Sequence, residues 1–314
     1  MPSRAPVNAG TRWQDEVARA ARNIRLRVMD HTIAHAGGYL SQACSAAEIL
    51  ATLYLRTLAL GPSVAPLVPR PFEGVPGGGG DASTGAGYHG APGPDLDRFY
   101  LSPAHYALVL YTALVEAGRL SPEGLAQFNR DGSTVEMIGA EHSPGFAMMG
   151  GALAQTLSQA AGIACARQRR GERGRVVVFL SDGEFQEGQT WEAVATMAFY
   201  RLERMLVYVD VNGQQCDGAM KDVMGLEPLD RRIEAFGGRA LVVDGHDPEA
   251  LDGAARLPSD GRPRFVLCRT DPCRGVEVLS ARRPKLHYVR FSSPAEREAY
   301  VAYRDTVMRR GGEG

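Results

Sequence analysis

Two apolar runs constrain this chain more than any other feature: Val176-Val177-Val178-Phe179-Leu180 and Met205-Leu206-Val207-Tyr208-Val209. Neither alternates polar with apolar, as expected of strands covered on both faces in a parallel sheet. Between them, Phe185, Trp191, Val194, Ala195, Ala198 and Phe199 recur at helical spacing. Acidic residues crowd the first turn, where the helix dipole favours them. The spacing predicts a helix from Glu184 to about Leu202 and a strand, helix, strand unit with a right-handed crossover. Asp182 and Asn212, one after each strand, then share a sheet edge. Further strands are expected at Arg98–Ser102, Ala240–Gly245 and Arg264–Cys268, with helical segments between. The predicted class is α/β: a doubly wound, mostly parallel sheet with helices on both faces.

Open parallel sheets bind ligands at the carboxyl ends of their strands, and a diphosphate suits this edge. Gly183 has no side chain, so its N–H can approach a phosphate oxygen, and the following helix start adds unpaired donors. Mg²⁺ is a hard octahedral cation that keeps phosphate and water ligands, so it needs few protein oxygens. Asp182, Asn212 and the backbone oxygen of Gln214 can supply them. A calcium loop starting at Asp182 needs Gly at its sixth position and Glu at its twelfth, whereas Glu187 and Ala193 stand there.

Asp182-Gly183, the acidic helix start, Asn212 and then Asp217-Gly218 resemble the thiamine-diphosphate motif of the transketolase family, with Ser181 where that family usually has Gly. From about Arg19 to His287 the chain is similar to the N-terminal, diphosphate-binding domain of transketolases. The resemblance implies thiamine diphosphate with Mg²⁺ held by Asp182, Asn212 and Gln214, and Gly183 and Glu184 at the cofactor. The segment Met149 to Gln155 looks like the family's Thr-Gly-Ser-Leu-Gly-Gln, which contacts the diphosphate and thiazolium. Gly151 and Leu153 carry over, and Ala154 replaces the second glycine. Leu101-Ser102-Pro103-Ala104-His105 resembles the Leu-Ser-x-x-His segment, whose histidine faces cofactor phosphates or substrate. His287 resembles a late histidine that reaches the active site. Glu187 matches a glutamate at the contact between subunits, where it links cofactor sites through a proton path. Tyr39 stands at the histidine of the family's Gly-His-Pro-Gly, and nearby His35 is the other candidate for that role.

This resemblance implies transfer of a two-carbon ketol or acyl unit to a carbonyl acceptor, with the cofactor carrying the hard chemistry. Activation of the cofactor requires a glutamate from a pyrimidine-binding domain, which in full-length transketolases follows the region matched here. A split enzyme is therefore expected, inactive alone and completed by a C-terminal transketolase-like subunit in a heterotetramer. Tyr39 and the stretch around Met137 depart from sugar-phosphate transketolases and leave open a dedicated ketol or acyl transfer between other small molecules. Two alternatives stand beside this reading: the α subunit of a 2-oxo acid dehydrogenase decarboxylating component, and a non-catalytic regulatory homologue.

The remaining features set boundaries. The 314 residues are 44% hydrophobic and 23% charged, which suits one large α/β domain or two small ones with a substantial core, and the resemblance implies a single diphosphate-binding domain over 1–314. A net charge of -1 gives no electrostatic case for nucleic acid or an anionic membrane. No apolar run reaches spanning length and Met1 to Thr11 lacks a signal-peptide core, so a cytoplasmic location is expected. The five cysteines form no even framework and read as thiols. Helices are expected from Trp13 to His35, from a Ser45-Ala46-Ala47-Glu48 capping box onward, from Ser121 to Asn129, and from Gly151 to Arg167. The last carries small residues suited to a subunit interface. Residues 61–97, with Gly77 to Gly80, read as a long mobile loop in which His89 is a candidate lid residue. Its G-x-G-x-x-G match lacks a preceding strand and is accidental. His246 reads as structural in a helix-entry turn. A terminal helix begins at Pro294, with a flexible tail at 309–314.

Overall fold

The computed structural model describes residues 12–75 and 84–311. Its centre is a five-stranded parallel sheet of β1 (Arg98–Leu101), β2 (Val176–Ser181), β3 (Met205–Val211), β4 (Arg239–Asp244) and β5 (Arg264–Arg269), in the spatial order β1-β2-β3-β5-β4. Every residue of β2 and β3 is buried, which explains their unbroken apolar runs. The main helices are α1 (Trp13–Ala34), α2 (Leu40–Thr52), α3 (Ala107–Glu116), α4 (Gln155–Arg169), α5 (Gly188–Phe199), α6 (Leu229–Ala235), α7 (Pro248–Arg256) and α8 (Pro294–Gly311).

Alternation along β2 builds two cores. Val177 and Phe179 pack with α1, α2, α3 and α7, whereas Val176, Val178 and Leu180 pack with α4, α5 and α6. The sheet is thus covered on both faces, as the doubly wound class requires, and its carboxyl edge is left to carry the site.

Several local expectations are corrected. The second helix begins at Leu40, so Ser45 and Glu48 lie inside it and do not cap it. Their side chains reach outward instead, Ser45 Oγ to Asp210 and Glu48 to Arg25. The expected helix after Asp182 is split into a 3-10 turn, Asp182–Gln186, and α5, with Glu187 in extended conformation between them. Helix α4 begins at Gln155, after a turn in which Ala154 has φ 70°. The helix after Ser121 spans only Pro122–Leu125. Helix α8 runs to Gly311, past the expected start of the tail, and 312–314 lie outside the described residues.

Gly77 to Gly80 likewise lie outside the described residues. The described parts of 61–97 are tied down: Arg119 donates to the carbonyls of Tyr88 and Gly61, and Val64 N–H donates to Gly87 O. His89 is no lid residue. It is buried, with Nε2 2.8 Å from the Tyr54 hydroxyl and its ring edge-on to Phe99.

Candidate active site

Each strand end at the carboxyl edge delivers a polar group. Asp182 follows β2, Asp210 lies in the last residues of β3 and Asn212 follows it, Thr270 follows β5, and Ser102 leads from β1 into a 3-10 turn, Ala104–Tyr106, that carries His105. These groups form two clusters.

The first surrounds Asp182, which is 3% exposed and accepts Gly213 N–H at 2.9 Å, joining the loops after β2 and β3. Burial pushes its carboxyl up to about 8, and the nearby Asp210 carboxylate adds to the effect. Asp210 is itself fully buried and raised by burial. Four donors hold it: Ser45 Oγ at 2.6 Å, Thr270 Oγ1 at 2.6 Å, Tyr106 Oη at 2.8 Å and Asn212 Nδ2 at 3.1 Å. Asn212 Nδ2 also donates to Tyr106 Oη, so the amide orientation is fixed, and Asn212 Oδ1 accepts Gln214 N–H at 2.8 Å.

The donor set fits Mg²⁺. Asp182, Asn212 and the Gln214 carbonyl offer only hard oxygens, and a cation beside them would favour the ionised form of the Asp182 carboxyl, whose pKa burial raises. Gln214 Oε1 is a buried oxygen without a hydrogen-bond partner among the described residues. A zinc-type cluster of three or more His, Cys, Asp or Glu side chains is absent among the described residues.

A turn beside this cluster offers room for phosphates. A Cβ on Gly183 or Gly151 would meet nothing within 4 Å, whereas one on Gly150 would lie 2.2 Å from Ser102 O. Gly150 therefore lets the turn close onto the end of β1 while Gly151 and Leu153 stay exposed. Glu184 fastens the turn. Its buried carboxylate accepts Ala154 N–H at 3.1 Å, Ser181 N–H at 2.9 Å and the Ser102 hydroxyl, so its oxygens are occupied within the protein.

The second cluster is aromatic. Gly37 and Gly38 pair antiparallel with Arg290 and Val289, an approach that a Cβ on Gly37 would block by standing 2.8 Å from Val289 O. This pairing brings Tyr39 to His105 (5.3 Å between centroids), His287 (5.6 Å) and Tyr288 (4.9 Å), and the two histidines lie 5.0 Å apart. Burial lowers the His105 pKa to about 3, with His287 adding to the shift, and burial also lowers His287. Both rings are therefore neutral near pH 7, able to donate or accept a hydrogen bond. His35 stands apart, exposed and stacked with His31 5.9 Å away, so Tyr39 and not His35 occupies this cluster. Glu187 is exposed at the start of α5, its carboxylate joined to neither cluster by a hydrogen bond or ion pair among the described residues.

Residues 92–278 match the family described as "Transketolase, thiamine diphosphate binding domain". The chain belongs to the transketolase family. It is 34% identical over 274 residues to the transketolase family protein y4mO of Sinorhizobium fredii, covering 86% of this chain and 88% of that protein. It is 28% identical over 277 residues to one subunit of the apulose-4-phosphate transketolase of Actinobacillus succinogenes, covering 87% of this chain and 91% of that one. A solved transketolase of Pichia stipitis, in complex with fructose 6-phosphate, superposes with a TM-score of 0.69 at 20% identity and shows the shared fold. That match covers 95% of this chain and 46% of the solved one, so this transketolase-family chain spans a little under half of that length.

Sequence reasoning missed Asp210 and its donors Ser45, Tyr106 and Thr270, as well as Tyr288. One signal was available for Asp210: a carboxylate inside an otherwise apolar strand, Met-Leu-Val-Tyr-Val-Asp-Val, must find donors if it is buried.

Proposed function

We propose that this chain is the N-terminal subunit of a two-component transketolase. Asp182, Asn212 and the Gln214 carbonyl would hold Mg²⁺, and the Gly183 N–H with the Gly151–Leu153 turn would receive the diphosphate. A C-terminal transketolase-like partner completes the site in a heterotetramer by supplying the pyrimidine-binding domain and the activating glutamate. Bound thiamine diphosphate would supply a carbon nucleophile for transfer of a two-carbon ketol unit from a donor to an acceptor carbonyl. His105, His287 and Tyr39 present neutral hydrogen-bonding groups suited to sugar hydroxyls. Glu187, exposed at the head of α5, faces another subunit. We place the enzyme in the cytoplasm, in keeping with five free cysteines. No described helix is long and apolar enough to cross a membrane.

The observation that carries this reading is the meeting of Asp182 with the Asn212–Gln214 loop through the Gly213 N–H. The near full-length similarity to a protein named as a transketolase subunit supports the two-component form. It also makes phosphorylated ketoses the first donors to try. The family match favours ketol transfer over delivery of acyl groups to a lipoyl domain.

The test is retention of thiamine diphosphate after gel filtration of the tagged chain with its co-purifying partner, with Mg²⁺ or with EDTA. Wild type retains cofactor only with Mg²⁺, and Asp182→Ala loses it while keeping its circular dichroism spectrum. Equal retention by the variant removes the metal assignment, and a chain that purifies alone without cofactor removes the two-component enzyme.

A further inference from the structure

We propose that His246 is a positioning residue for the cation site, bracing the two segments that hold Asp210. The proposal rests on the reading of Asp182 and Asn212 as cation ligands. His246 touches neither of them. Its Nε2 accepts the Asp271 backbone N–H at 2.8 Å, and its Nδ1 lies 2.9 Å from Glu48 Oε2. A backbone N–H can only donate, so Nε2 carries no proton, and the ring is the Nδ1–H tautomer donating to Glu48.

Both contacts lead to Asp210. Glu48 lies one helical turn after Ser45 on α2 and is locked by Arg25 of α1, whose Nη1 donates to Oε1 at 2.7 Å. Asp271 directly follows Thr270. Ser45 and Thr270 are the donors at 2.6 Å to the two different oxygens of Asp210. The imidazole thus spans α2 and the loop after β5, fixing the gap across which Asp210 is gripped. Gly245 shows how tightly this turn is seated, because a Cβ there would stand 2.4 Å from Thr270 Cγ2. Asp210 in turn fixes the amide of Asn212. Loss of the ring should loosen Thr270 against Ser45, free the carboxylate to rotate and misorient the Asn212 oxygen offered to the cation. Partners that orient metal ligands commonly change metal affinity about 10–100-fold when removed.

The experiment titrates Mn²⁺, as a paramagnetic probe, into the chain purified with its partner subunit and thiamine diphosphate and reads free Mn²⁺ by EPR. His246→Ala is expected to weaken Mn²⁺ binding by up to about tenfold, the lower end of the range for groups that hold a ligand directly. His246→Gln, which keeps an acceptor for the Asp271 N–H, should recover part of the loss. Ile233→Ala, a core truncation in α6 on the opposite face of the sheet, controls for general destabilisation. If His246→Ala does not fold, His246→Asn, which keeps a donor toward Glu48 and loses the acceptor, takes its place. Unchanged affinity in the His246 variants overturns the brace. So does an equal loss of affinity in Ile233→Ala at a matched unfolding temperature. A wild-type complex that binds no Mn²⁺ removes the cation reading itself, and this proposal with it.

Discussion

Ser45 Oγ lies 2.6 Å from Asp210 Oδ2, joining the middle of α2 to the end of β3 beneath the cation site. Both residues are fully buried. A hydrogen bond to a charged group is worth about 1.5–3 kcal/mol, and removing one partner leaves the other short of a donor. Alanine returns a few tenths of a kcal/mol as a better helix former. Ser45→Ala should therefore lower unfolding free energy by about 2 kcal/mol in urea melts and weaken Mg²⁺ binding as well. An unchanged midpoint would mean that Asp210 does not depend on Ser45.

Gly183 separates binding from folding. Its added Cβ meets nothing within 4 Å and its φ is not in the left-handed region, so Gly183→Ala should alter stability by less than about 0.5 kcal/mol. If a phosphate oxygen approaches this N–H, the methyl group stands in its way. Thiamine diphosphate affinity, read by isothermal titration with Mg²⁺ present, should fall about tenfold or more, and unaltered affinity would place the diphosphate elsewhere.

The parts of the site that were legible in the sequence belong to one continuous stretch. Strands β2 and β3 announce themselves because full burial forbids polar alternation, and Asp182 and Asn212 follow directly from where those runs stop. Asp210 was hidden because its donors come from α2, the turn after β1 and the loop after β5, which no local pattern connects. Ser45 and Glu48 even imitate a capping box, since both residue types serve long-range bonds as readily as local ones. The helix start at Leu40 is set by Gly37 and Gly38 pairing with Val289 and Arg290, a contact between the two ends of the chain. Ala154 at positive φ was legible only through the resemblance, which has a glycine at that position; alanine itself gives no signal, and Glu184, which accepts its N–H, comes from the turn after β2.

Tyr39 tests the aromatic cluster. Its hydroxyl makes no hydrogen bond to the protein among the described residues, while its ring packs on His105, His287 and Tyr288. Tyr39→Phe keeps the packing and removes only the oxygen, so stability should change by less than about 0.5 kcal/mol. Loss of one hydrogen bond to a substrate hydroxyl, worth about 0.5–1.5 kcal/mol, should lower kcat/KM for a ketose donor about 2- to 13-fold in the assembled enzyme. Wild-type kcat/KM would exclude Tyr39 from substrate contact.

His89 gives the fold a defined acid sensitivity. Burial lowers its pKa to about 3, so the folded chain keeps the ring neutral against Tyr54, whereas the unfolded chain protonates it near 6.5. Below about pH 6.5 the unfolded state binds the extra proton, and the stability fully present above that value is lost as pH falls toward 3. One such group contributes a slope of about 1.4 kcal/mol per pH unit. His89→Gln keeps a partner for the Tyr54 hydroxyl but cannot titrate. Urea unfolding between pH 6.5 and 5 should therefore show a shallower loss of stability in the variant than in wild type, by about that slope. Parallel curves would mean that His89 is protonated in the folded chain, and that the Tyr54 contact survives with a charged ring.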